Sequence, residues 1–199
     1  MLAQPAAAKI IYTKADVAIL NGTILNLDNR HRGQFTFTVR RAYASSGFSF
    51  IMSVFPIGNN NRIWGTNQAA SALHYGRRIG PNTKKFAYGN DFMGLDRSGV
   101  FGESYEGAWV YVTNRYLGLQ FMINGNTHYG WARLSVDMFR SEGAVTGYAY
   151  ETIPNKPIIA GKTKGPDVIT FQPATLGHLA KGSAGLTAWR QAQPTDGTQ

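Results

Sequence analysis

GAWVYVTNRYLGLQFMINGNTHYGWARLSVDMFRSEGAVTGYAYETIPNKPIIAG, residues 107 to 161, decides the fold. Between Arg115 and Ile123 the side chains alternate, with Leu117, Leu119, Phe121 and Ile123 on one side and Tyr116, Gly118, Gln120 and Met122 on the other. A period of two marks a strand with one buried face. Asn124-Gly125 follows, and both residue types accept the positive φ that a tight hairpin turn demands. The next segment, Thr127 to Val136, alternates again. A two-residue turn sets the register: Ile123 faces Asn126, Phe121 faces His128, Leu119 faces Gly130 and Leu117 faces Ala132. His128, Gly130, Ala132, Leu134 and Val136 then point to the core, and the opposite face gathers Tyr116 beside Arg133, Gly118 beneath Trp131 and Gln120 beside Tyr129.

That second face is the most suggestive surface in the chain. Tyr, Trp and Arg are the side chains that most often anchor interfaces, and flat rings also stack on sugars. Tyr116, Tyr129, Trp131 and Arg133 are therefore the candidate ligand- or partner-binding residues. The competing arrangement is a second layer that covers the face and turns the rings into core. In that case Trp131 over Gly118 is a packing device, a ring laid over a strand glycine.

Working outward, Ala144–Glu151 reads as a further strand, and Pro154 and Pro157 shape an extended turn into Ile158-Ile159-Ala160. Upstream, strands are predicted at Lys9–Tyr12, Val17–Leu20 and Thr23–Leu27, with Asn21-Gly22 as a tight turn between the last two. Gln34–Arg40 alternates with Phe35, Phe37 and Val39 inward, and Phe48–Phe55 is apolar enough for a central strand. From Pro56 to Gly107 turn-forming residues dominate, which predicts long loops or short edge strands. Loops of that kind often carry function. Past Gly161 the reading is a loop with one edge strand, then a polar tail from Gln191.

The 199 residues suit one domain of sandwich or barrel size. Charged residues make up only 16% and there are 23 glycines, a balance that fits an all-β protein rich in turns. No window is apolar over the ~18 residues a spanning helix needs. With no cysteine, disulfides, thiolate metal sites and thiol nucleophiles are excluded. A net charge of +9 favours acidic polysaccharide, phospholipid headgroups or nucleic acid as partners. The cations are spread along the chain in pairs (Arg30/Arg32, Arg40/Arg41, Arg77/Arg78, Lys84/Lys85) with no nucleic-acid-binding signature, so a solvated surface is the expectation.

Searches for reaction chemistry end empty. Asp28 and Gly33 stand at the first and sixth positions of a calcium loop, but Arg30 and Arg32 occupy ligand positions and repel a cation, which leaves a turn. Gly161-Lys162-Thr163 imitates the end of a phosphate loop, yet Lys156 stands where the earlier glycine belongs. The four histidines occur singly, without metal-ligand spacing, and His128 is read as capping the hairpin. Glu103 and Glu106 lie near Tyr105 and Trp109 and are the one carboxylate pair a glycosidase could use. No nucleophile elbow is present. The expectation is no catalysis, no cofactor and no bound metal.

Two motifs carry a resemblance. Tyr129-Gly130-Trp131-Ala132-Arg133-Leu134-Ser135-Val136, and then Gly147-Tyr148-Ala149-Tyr150-Glu151 through Pro154, Pro157 and Ile158 to Gly161, resemble a group of uncharacterised secreted bacterial β-sandwich proteins. Those proteins share a YGW strand, an AYE..P..PI.AG strand-turn-strand and often a C-terminal sorting tail of the PEP-CTERM kind. Pro173-Ala174-Thr175-Leu176-Gly177 and the small-residue run to Trp189 and Arg190 match that tail loosely. His178 and Lys181 break the run and only Arg190 remains of the basic cluster, so a folded or partner-binding part is expected there in place of a spanning one. The resemblance covers about Tyr116–Arg190 and implies export to a bacterial cell surface or extracellular matrix. It carries over no catalytic residue.

The sequence thus predicts an all-β, antiparallel two-sheet sandwich of jelly-roll or lectin-like type. Residues 1–8 are read as a signal remnant or flexible N-terminus, 9–165 as the sandwich domain and 166–199 as a C-terminal extension. The expected role is a secreted, non-catalytic structural module that forms homo-oligomers or associates with matrix polysaccharide, with no specific nucleic-acid partner. The alternative is a lectin-like domain for acidic polysaccharide, and a weaker one is a glycosidase.

Overall fold

The computed structural model describes residues 9–29, 33–66, 68–83, 85–87, 89, 91–100 and 102–165. The expectations for 1–8 and 166–199 lie outside these. Chain order gives β1 (Ile10–Ala18), β2 (Thr23–Leu25), β3 (Phe35–Ala44), β4 (Gly47–Pro56), β5 (Arg62–Thr66), β6 (Ala69–Ala70) and β7 (Arg78–Ile79). There follow β8 (Phe86–Ala87), β9 (Asp91–Gly99), β10 (Gly102–Glu106), β11 (Tyr111–Ile123), β12 (Asn126–Asp137), β13 (Glu142–Glu151) and β14 (Ile158–Ile159). The described residues are all-β, without a helix, so none is present that could cross a membrane.

The central hairpin forms as its sequence dictates. Asn124 and Gly125 take φ of 50° and 78°, and every cross-strand pair from Ile123–Asn126 to Tyr116–Arg133 is in the register that the two-residue turn sets. β13 pairs with β12, and β1 with β13. On the other side, β5 pairs with β11 through Ile63 and Arg62, then with β6 through Gly65 and Thr66. That short strand joins two halves into one 12-stranded sheet ordered β1-β13-β12-β11-β5-β6-β9-β4-β3-β2, with β10 on β9 and β8 on β5. β5 explains the departure from two separate stacked sheets: it belongs to both halves.

β1 and β2 occupy opposite ends of this order but are joined by only four residues, 19–22. The sheet must therefore curl until its edges lie side by side, and it nearly closes into a barrel. Arg41 Nη2 on β3 donates across the seam to the Ser141 carbonyl (3.0 Å). Asn21-Gly22 does make the tight turn, with Gly22 at φ 86°. It does not make the hairpin predicted, because β2 pairs with β3 and β1 with β13.

Phe35, Phe37, Phe50, Met52, Val54, Leu117, Leu119, Phe121, Leu134 and Trp109 fill the inside of the curl. Trp109 is fully buried and its Nε1 donates to the Ala70 carbonyl (2.9 Å), so no polar atom of the ring is left over. His128 also faces inward and does not cap the hairpin: Nδ1 lies 2.9 Å from the Glu151 carbonyl, and its ring is 6.3 Å from Phe121. The Pro56–Gly107 region holds β5 to β10, including the nine-residue β9.

Candidate functional site

The outer face of β11–β12–β13 is covered. Chain 71–80 crosses it, and β7 pairs with β14 to complete a two-stranded cap. Leu73 bridges to Tyr116, exchanging backbone hydrogen bonds of 2.9 Å in both directions. Beneath the cap a second apolar cluster assembles from Trp64, Leu73, Ile79, Tyr116, Tyr129, Trp131, Ile158 and Ala160.

Of the four sequence-predicted residues, Tyr116, Tyr129 and Trp131 are therefore interior, with Trp131 only 1% exposed. Tyr116 stands edge-on to Trp131 at 5.2 Å between centroids, and Tyr12 lies 5.9 Å from the same ring. Burial pushes the Tyr129 hydroxyl pKa up. Above Gly118 the nearest atoms belong to Trp64 and Leu73 rather than Trp131. Arg133 is half-buried, its Nε donating to Thr146 Oγ1 (2.8 Å) and its Nη2 to the Thr146 carbonyl (3.0 Å). The four residues are neighbours, as predicted, but three are beneath the cap and the fourth clamps β12 to β13.

Glu103 and Glu106 sit on β10, three residues apart, and so on opposite faces of the strand. Glu103 accepts from the Tyr105 hydroxyl (3.1 Å), and Glu106 stands 4.0 Å from Arg97. They do not face a common space. Glu103 instead neighbours Asp96 of β9, whose pKa is raised by burial and then by the Glu103 charge. Among the described residues no group of three or more His, Asp or Glu could hold a metal ion.

The cap's outer side carries what the buried face does not. Arg77, Arg78 and Lys85 are all exposed there, and Arg77 lies over the Trp64 ring with its Cζ 5.4 Å from the centroid. Trp64 is itself 4% exposed and braced by Phe86 at 5.9 Å, so its ring serves as a floor that orients the guanidinium. Arg77 lines two open grooves. One, of about 420 Å³, is lined by Trp64, Arg77, Arg78, Lys85 and the Gly80–Thr83 turn. The other, of about 460 Å³, shares Trp64, Arg77 and Lys85 and adds His74 and Tyr75. Tyr75 is 69% exposed and rests its ring against Tyr116 at 6.4 Å.

Arg97–Glu106 and Arg140–Asp137 pair elsewhere, and Lys156 pairs with the buried Glu151 at 3.3 Å. Sequence reasoning missed this cluster because it treated the basic pairs as dispersed. The signal was the distribution of acids: residues 29–90 contain nine Lys or Arg and no Asp or Glu, and residues 152–166 add Lys156, Lys162 and Lys164, again with no acid. β7–β14 pairing brings those two acid-free runs together. Comparison with protein-family models, with curated proteins and with solved structures finds no match for the chain.

Proposed function

We propose that the protein is a non-catalytic module that binds acidic polysaccharide through the cap, in the cell-surface or matrix setting that the resemblance implies. The observation that carries this is the acid-free cap surface, where Arg77, Arg78 and Lys85 line two grooves beside the exposed ring of Tyr75. Cations without partner carboxylates attract an anionic polymer, and an exposed tyrosine ring offers the apolar face that a pyranose stacks on. Arg77 is already held by Trp64, so less side-chain freedom is lost when it meets a carboxylate or sulfate. Affinity electrophoresis through gels containing polygalacturonate, heparin or neutral dextran tests the reading. Retardation by the acidic polymers and not by dextran is expected, and it should weaken in Arg77→Ala/Arg78→Ala. Equal mobility in all three gels removes the proposal, and preferential retention by RNA redirects it to another polymer class.

Self-association is a second reading, favoured by the free edge of β10. Among the described residues that strand pairs only with β9, and the exposed charges of the two strands offset one another, Arg97 against Glu103 and Glu106. In a chain of net +9, two copies meet there with the least repulsion. Gly99 faces Gly102 across a two-residue loop, so alternation turns the Glu103 backbone away from β9. Glu103→Pro then removes an outward donor while leaving β10 on β9. Sedimentation should show oligomers for the native chain and monomers for the variant; a native chain that stays monomeric at high concentration ends this reading.

A further inference from the structure

We infer that the ligand of the cap is a linear glycan laid across both grooves, with acidic groups on Arg77 and Arg78 and a sugar ring stacked on Tyr75, and not a single sugar or free anion. This rests on the reading above and narrows it to a class of polymer. Each groove is of small-ligand volume but open along its length. The two adjoin: Arg77, laid over Trp64, belongs to the walls of both and is a group that attracts the ligand. Trp64, Arg77 and Lys85 line both. A mono- or disaccharide in the first groove meets Arg77, Arg78 and Lys85 but leaves His74 and Tyr75 of the second solvated. A longer chain reaches both, so its second set of contacts forms within an already bound complex and carries no new cost of association.

The backbone supports a continuous track. Gly76 N–H donates to the Ala160 carbonyl and Ala160 N–H to the Arg77 carbonyl (3.0 and 2.8 Å), which fixes the backbone that carries Arg77 to the end of β14. The Gly80–Thr83 turn closes on itself through Thr83 N–H to the Gly80 carbonyl (3.0 Å), giving the first groove a shaped end.

The test is calorimetry with oligogalacturonates of increasing length, from monomer through dimer and tetramer to octamer, with heparin oligosaccharides of matched length as the sulfated arm. Affinity is expected to rise roughly tenfold or more between dimer and tetramer and then level off. Arg77→Ala should weaken the tetramer more than the dimer and so flatten that rise. On raising salt, the tetramer should lose affinity with a steeper logarithmic slope than the dimer, because more counterions are displaced. Equal binding by monomer and tetramer overturns the linear-ligand inference but leaves the cap as an anion site. Affinity that climbs with length without levelling and ignores Arg77→Ala also overturns it, since that is unspecific attraction to a polycation. Absence of binding at every length in low salt defeats the underlying reading itself.

Discussion

Asp91 lies fully buried on β9 opposite Val54, and neither carboxylate oxygen has a hydrogen-bond donor among the described residues. Burial alone raises its pKa to about 6 from the ordinary 3.8. The folded state therefore holds this proton over a range where the unfolded chain has released it. Its stability contribution is full below about pH 4 and is lost as pH rises through 6, a loss of roughly 3 kcal/mol for a shift of this size. Urea melts of Asp91→Asn across that window should show a much shallower pH dependence than the native chain, with Asp96 supplying the remainder in the same direction. An unchanged slope would place the proton elsewhere. Trp131 and Arg77 separate the two meanings of an aromatic-basic pattern. Trp131→Ala empties a site packed by Tyr116 and Tyr12 and should cost about 3–5 kcal/mol of stability. Arg77→Ala, on the surface, should change stability by less than about 1 kcal/mol yet weaken glycan binding. Comparing thermal melts with binding on the two variants checks both.

Among the elements, the cap depends on a joint of unusual geometry. Gly161 follows β14 at φ 86°, and a Cβ there would run into the Tyr75 ring and the Tyr116 hydroxyl. Gly161→Ala is expected to cost about 1–3 kcal/mol through backbone strain and displacement of Tyr75. It should also lower affinity for an acidic tetramer, whereas Gly125→Ala in the hairpin turn, where space is open, should not. The hairpin could be read to the residue because Asn124-Gly125 and a strict period of two both act locally. β9 could not: Asp91, Gly94, Asp96 and Gly99 interrupt its apolar run, and its place in the sheet comes from β4 and β10 on either side. β1 read as two pieces because a register shift between Lys14 and Val17 breaks its alternation. The aromatic face was located correctly, but its cover comes from residues 71–80 and 158–160, which show no long periodicity of their own. The grooves were illegible for the same reason: Arg77 and Tyr75 gain their meaning from β14, some eighty residues further on.

At the scale of the whole molecule, charge is sorted as well as apolar surface. The cap is cationic without local acids, while the β9–β10 end carries Asp96, Glu103 and Glu106 among its arginines. Attraction for a polymer and contact between copies can therefore use different strands of the fold. The strand order carries a consequence for how such a chain is made. Ile10 finds its neighbour in Glu151, so among the described strands β1 has nothing to pair with until β13 has been synthesised. Long-range pairing of this kind slows folding and leaves the β13 edge open until β1 docks. Pulse-labelled amide exchange during refolding should find β1 protected last; early protection there would mean that the edge strand docks on something other than β13.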